Sequence, residues 1–410
     1  MLGNQISDLP GVSDQISYHN LGIRIANGYG FTFDRPWWPA TPAGEPTAHW
    51  SYFYSIFVAA IYWVFGPQPL MVRLIQVLIV GFLHPVLVYQ IGKHAFSEKI
   101  GLLAAAISSL YIYFIYYSAT LMTEPFYITG ILLILLLAIL LVKNFDQISN
   151  DRKSFLLFIF LISITSFITI LLRQVFLLFL PFLYFWIILS LGKKNFGKSI
   201  KFAALSLTIT FLLIFPITIL NYLRFNQFVL LNTNAGFAFY WANHPIYGTH
   251  FEGILTKSTY LDLLPKELYG LNEAALDREL LKRGLEFVIQ DPVRYLFLSL
   301  SRIPIYFMFW PSPSSSILSN LSRLASFGIL LPFMICGTVS TLLGFKDNFS
   351  ISSPKILLLV FVVIYSLIHI FTWTLIRYRL PVDAVLILFA AIGIQNILNF
   401  VNKRANPTNI

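Results

Sequence analysis

The chain has 410 residues and a net charge of +10, yet only 11% of its residues are charged and 57% are hydrophobic. A soluble domain carries about 25% charged residues, so the composition excludes soluble globular, disordered and coiled-coil classes, and the single cysteine, Cys336, excludes a disulfide-rich fold. What remains is an all-α polytopic membrane protein, because barrel strands would run about ten residues with dyad alternation.

The first 48 residues are polar, punctuated by Gly and Pro, and lack the charged, apolar and small-residue succession of a signal peptide. Within them Tyr18, Leu21 and Ile25 share one helical face, and Gly28-Tyr29-Gly30 ends that helix. Apolar runs follow at 50–65, 70–91, 101–117, 121–142, 154–172, 175–191 and 202–223, and after a gap at 293–310, 324–343, 356–376 and 382–401. Most approach the roughly 20 residues that cross about 30 Å of hydrocarbon. The runs 50–65 and 293–310 are short, and either could lie in the interface. The gap contains an aromatic stretch, Phe237 to Tyr240, and an amphipathic helix over 272–290; Asp291-Pro292 then reads as N-cap and N1 proline of the next helix. The chain divides into an outer-face loop (1–49), an N-terminal membrane region (50–223), a second outer-face loop (224–292) and a C-terminal membrane region (293–410).

Lys93 and Lys99, then Lys143, Arg152 and Lys153, then Lys193, Lys194, Lys198 and Lys201 mark three loops two spans apart. The positive-inside rule puts all three in the cytoplasm. Glu124, the turn at Arg173 and the 224–291 segment then face outward. If both short runs lie in the interface, Asp14, Arg377 and Arg379 join them. The basic balance reflects these loops and anionic lipid; no basic domain stands outside the membrane runs, which argues against nucleic acid.

Few polar groups occur at the membrane edge. Asp14 reads as a general base at a cavity mouth, or as an acid favoured by a helix N-terminus. Glu124, in Thr123-Glu124-Pro125, is either a helix cap or a site carboxylate, since an acid at the hydrocarbon boundary is costly unless it faces a polar cavity. Arg73, Arg377 and Arg379 suit phosphate through the bidentate guanidinium fork, or snorkel to lipid headgroups. Asn243-His244-Pro245 reads as a turn, Ser163, Thr165, Ser166 and Thr169 as helix-packing groups, and His84-Pro85 as a kink. There is no Walker loop, no His/Cys metal cluster and no Gly-x-Ser-x-Gly, so nucleotide-driven or zinc-based chemistry has no support in the sequence.

The order of these elements resembles the GT-C glycosyltransferases that use polyprenyl-phosphate sugars, the protein O-mannosyltransferase and aminoarabinose-transferase-like group. The resemblance rests on Asp14 before Gly28-Tyr29-Gly30, Arg73-Leu74, Thr123-Glu124-Pro125, Asn243-His244-Pro245 with Gly248, Asp291-Pro292 and Arg377-Tyr378-Arg379-Leu380-Pro381. It implies an inverting glycosyl transfer on the outer face of a bacterial plasma membrane, without metal or cofactor. Asp14 would be the base and Glu124 an orienting acid, with Arg73, Arg377 and Arg379 on the donor phosphate. Tyr18, His49, Asn243 and His244 would contact the acceptor or the loops. The partners implied are a polyprenyl-phosphate-linked sugar, an acceptor glycan, lipid or protein, and membrane lipids. Family members begin with a membrane helix that precedes the Asp, often carry an acidic pair where Asp14-Gln15 stands, and have a Pro-Pro-Leu-Tyr-like segment where this chain reads Ala48-His49-Trp50-Ser51. The first departure implies a fragment or truncated homologue lacking the usual first helix. The alternatives are a lipid-linked glycan transporter or flippase and a catalytically inactive truncated homologue; carriers place ionisable residues mid-membrane, whereas these acids sit at helix ends.

Overall fold

The computed structural model describes residues 3–6, 14–252, 255–313, 315–345 and 349–405. Among them the regular structure is helical, with two isolated bridges, Thr32 with Pro46 and Trp37 with Thr41, and no strand. The helices are α1 (Asp14–Ala26), α2 (Tyr52–Phe65), α3 (Pro69–Ala95), α4 (Glu98–Leu110), α5 (Ile112–Ser118), α6 (Glu124–Lys143), α7 (Phe145–Asn150), α8 (Arg152–Leu172) and α9 (Leu180–Leu191). They continue with α10 (Phe196–Phe225), α11 (Ala235–Asn243), α12 (Lys257–Asp262), α13 (Glu273–Gln290), α14 (Pro292–Tyr306), α15 (Ile317–Arg323), α16 (Ile329–Gly344), α17 (Pro354–Phe371) and α18 (Leu380–Ala405).

Eight helical segments among the described residues are long and apolar enough to cross a membrane, and the bent pair α4–α5 makes a ninth. This is an integral membrane protein. The two short runs become α2, with 14 residues, and α14, with 15, both below the length a span needs. The run 101–117, read as one helix, is broken at Tyr111 by a 56° bend. The cause is Tyr111 itself: it takes an extended backbone, and its hydroxyl donates to the buried Asp383 carboxylate at 2.7 Å.

Local chemistry sets the boundaries. Gly28 and Gly30 stop α1 at φ +82° and +67°, values that cost a Cβ-bearing residue dearly. Asn272 caps α13 through Ala275 N–H, and Asp291, as its sequence predicts, caps α14 through Arg294 N–H ahead of Pro292. α6, apolar from Ile131 to Val142, runs through the middle of the bundle against α3, α8 and α18. Small residues let helices close on one another. A Cβ at Gly337 of α16 would stand 1.8 Å from the Phe389 carbonyl of α18. The Ser163 hydroxyl reaches the Ser206 carbonyl between α8 and α10 at 3.0 Å.

The spans alternate in direction, so each end of the bundle collects particular loops. Lys143 donates to the His94 carbonyl, and Lys194 pairs with Asp146, so the basic loops share one end. The starts of α1 and α6, the end of α8, the 31–50 loop, the 224–292 segment and the α17–α18 turn share the other. At that end Glu273, the first residue of α13, is buried and accepts from Thr41, Thr47 and Thr233 hydroxyls and from Ala48 N–H. One carboxylate thereby ties the 31–50 loop to the 224–292 segment.

Candidate functional site

Four charged residues from four distant parts of the chain meet at this end. Asp14 opens α1, Glu124 opens α6, Arg173 stands between α8 and the 3-10 turn Gln174–Leu178, and Arg377 lies in the turn before α18. Arg377 Nη1 is 2.8 Å from Asp14 Oδ2, and its Nε is 3.7 Å from Glu124 Oε1. Arg173 Nη2 donates to the same Glu124 oxygen, and Arg173 Nε donates to the Thr123 hydroxyl at 3.1 Å. The result is a chain of alternating sign, Asp14–Arg377–Glu124–Arg173, with no net charge. Its members differ in access: the Glu124 side chain is 1% exposed, Arg377 13%, Arg173 17% and Asp14 27%. Glu124 is therefore the buried anchor that aims two guanidiniums, and Asp14 is the acid a ligand can reach.

Aromatic rings wall the cluster. Tyr378 lies under both guanidiniums, 5.0 Å from Arg173 and 5.5 Å from Arg377, and Tyr127 lies 5.6 Å from Arg173. Such contacts favour the cation where water is scarce. Tyr18, one turn beyond Asp14, is buried edge-on against Trp50 and Tyr54 at 5.6 and 4.8 Å; burial pushes its phenol well above the usual range, so it remains a neutral donor. His49 stands behind Trp50, with Nδ1 2.9 Å from the Thr233 carbonyl. Burial pushes its imidazole below the usual range, against the pull of Glu273.

The structure thus brings together Asp14, Glu124 and Arg377, with Tyr18 beside them and His49 one ring away. It departs from the expected arginine trio. Arg379 is fully buried, held by Asp383 at 2.8 Å and by the Tyr306 carbonyl at 2.8 Å, with its guanidinium 3.5 Å from the Phe327 ring centre. Arg73 donates to the backbone carbonyls of Gly3 and Gln5 and to Gln15 Oε1. Both hold protein groups and stand outside the Asp14–Arg377–Glu124–Arg173 chain. Asn243 and His244 make contacts within the 224–292 segment and to α14. Asn243 Oδ1 accepts from the buried Arg302 at 2.9 Å, and His244 Nδ1 accepts from Ile246 N–H in its own turn. Arg173 is the member the sequence reading places on the right face without assigning it to the site. Its signal was a lone arginine ending an apolar helix on the side of Glu124.

No protein-family model matches the sequence, and no curated protein matches it. Solved structures do. The archaeal oligosaccharyltransferase AglB from Archaeoglobus fulgidus, in complex with an inhibitory peptide and a dolichol-phosphate, superposes with a TM-score of 0.54 at 15% identity over 98% of this chain and 48% of that one. The likeness is one of fold. The A. fulgidus enzyme tethered to an acceptor peptide gives 0.57 at 14% identity over 99% and 47%, and the same enzyme with zinc and sulfate gives 0.56 at 14% over 97% and 46%. The chain spans about half the length of these proteins. Among the described residues no three His, Cys, Asp or Glu side chains gather, and both site carboxylates face guanidiniums. This set does not fit a divalent cation, which needs several oxygen ligands.

Proposed function

We propose that the protein is a glycosyltransferase that moves a sugar from a polyprenyl-phosphate donor to an acceptor hydroxyl, with inversion, on the outer face of a bacterial plasma membrane. The observation that carries this reading is the Asp14–Arg377–Glu124–Arg173 chain at one end of a GT-C fold. The fold neighbours with dolichol-phosphate or an acceptor peptide support a lipid-linked donor and an acceptor in the same reading. Residues 1–49 and 224–292 are then outer-face loops, flanked by membrane regions 50–223 and 293–410. The basic end lies in the cytoplasm.

The chemistry follows from the pairing. A donor phosphate reaching Arg377 competes with Asp14 for that guanidinium. Its arrival releases the carboxylate to face the acceptor. Asp14 takes the hydroxyl proton, and the oxygen attacks C1 from the side opposite the phosphate. The C1–O bond breaks, and its electron pair leaves with the polyprenyl phosphate. Arg377 and Arg173 stabilise that charge as it develops, where fixed donors act strongly in a water-poor site. Glu124 holds both guanidiniums in place and touches no reacting atom.

Asp14→Asn keeps the size and the helix-start oxygen but cannot take a proton. Turnover of polyprenyl-phosphate sugar should fall by about 10²-fold or more, with thermal stability nearly intact. Near-parental turnover overturns the base assignment and favours a carrier.

A further inference from the structure

Beside the ion cluster, α17 ends in a histidine that the mechanism above does not use. His369 is buried within a ring of tyrosines, its ring centre 4.8 Å from Tyr365, 4.9 Å from Tyr378 and 6.2 Å from Tyr306. Tyr378 is the ring that carries Arg173 and Arg377 on it, so His369 is one aromatic layer from the proposed phosphate site.

Its two nitrogens differ. Nδ1 lies 3.3 Å from the Trp373 carbonyl. A carbonyl only accepts, so Nδ1 bears the proton and Nε2 presents a lone pair. That lone pair is buried and has no partner among the described residues. Four residues on, the Trp373 indole N–H is also buried and has no acceptor among them. A buried acceptor and a buried donor on one turn are costly unless a ligand or water meets them. A group that meets Nε2 has to donate, and a group that meets the indole N–H has to accept. A phosphate with no proton cannot serve Nε2; a sugar hydroxyl can.

The surroundings match a sugar. Trp373 packs on Tyr260 at 5.6 Å and on Trp241 at 6.3 Å, and Trp38 stacks on Trp241 at 5.1 Å. Trp38 of the 31–50 loop, Trp241 of α11, Tyr260 of α12 and Trp373 of the α17–α18 turn thus pack as one aromatic cluster. That is the composition by which small-molecule sites fix orientation.

We propose that His369 and Trp373 read the transferred sugar. Nε2 of His369 accepts from one ring hydroxyl, and Nε1–H of Trp373 donates to another sugar oxygen. The inference rests on the glycosyltransferase reading and adds the residues that discriminate the sugar from its carrier.

The test measures binding of a panel of polyprenyl-phosphate-linked hexoses and pentoses, and of sugar-free polyprenyl phosphate, to the purified full chain. For the sugar bound most tightly, His369→Phe should weaken binding roughly tenfold and leave the sugar-free carrier unchanged. His369→Gln, whose amide oxygen accepts, should recover part of the loss. One monodeoxy form of that sugar should bind the parent about tenfold more weakly and show no further loss in His369→Phe. Equal loss for both probes would make His369 merely structural and overturn the proposal. So would unchanged sugar binding in His369→Phe, or a monodeoxy series with no weakened member, which leaves water as the partner of Nε2. If His369→Phe does not fold, the monodeoxy series on the parent decides alone. A parent that binds the carrier with or without sugar equally refutes the sugar-reading role; one that binds no carrier at all refutes the glycosyltransferase reading itself.

Discussion

Arg173 and Glu124 show how much of the site depends on one buried pair. With 1% of its side chain exposed, Glu124 has lost its water and relies on two guanidiniums. Removing one partner of a buried pair strands the other charge and costs about 3–5 kcal/mol. Arg173→Met should therefore lower the melting temperature markedly. Adding Glu124→Gln should recover much of that loss without restoring turnover, because the proposed phosphate site would still lack Arg173. Thermal melts and turnover of the two variants in the same detergent check both statements. At this scale the sequence was only partly legible. Asp14, Glu124 and Arg377 stood out because charged residues are rare beside apolar runs. Arg379 stood out for the same reason, but its partner Asp383 lies one turn into the last span, where the surrounding apolar run hid it. An i,i+4 Arg–Asp pair at a span's start was the available sign that Arg379 is spoken for.

Helix ends and helix pairs carry the next level of argument. α11 lies so close to α13 that a Cβ on Gly236 would stand 1.7 Å from the Asp277 carbonyl oxygen. Asp277 Oδ1 caps α11 by accepting from Gly236 and Phe237 N–H at 2.8 and 3.1 Å. Burial pushes this carboxyl up to about 7, outweighing the two N–H bonds that pull it down. In the unfolded chain an aspartate releases its proton near pH 4. Between about pH 4 and 7 the folded state thus binds more protons than the unfolded one, and stability falls as pH rises through that window. Asp277→Asn keeps the accepting oxygen and carries no charge. Its melting temperature should exceed the parent's at pH 8, and the gap should narrow as pH falls and close near pH 4. Parallel pH curves for the two proteins would refute the shift. The element boundaries themselves were the most legible feature, since the caps at Asn272 and Asp291 and the stop at Gly28 each follow from one residue's chemistry. The break at Tyr111 was not legible, because its cause is a partner 272 positions away.

The whole molecule sorts its charge by end. Lysines gather where α3, α6 and α9 finish, and the ion cluster, the Glu273 knot and the 224–292 segment gather at the other end. With Cys336 replaced by Ala, single cysteines at the exposed positions Glu45 and Lys266 should react with an impermeant thiol reagent on intact cells. A cysteine at the exposed Lys194 should react only after permeabilisation. Labelling of all three from one side would break the topology on which the reaction depends.

The four charges of the site come from residues 14, 124, 173 and 377, which has a consequence for how the protein comes into being. Synthesis delivers the acid first and Arg377 last, after every span except the final one. Until then Asp14 lacks Arg377, and of its two guanidiniums Glu124 has only Arg173. The chain of four charges is therefore completed in a single late step, as α18 enters the membrane and brings the α17–α18 turn against α1.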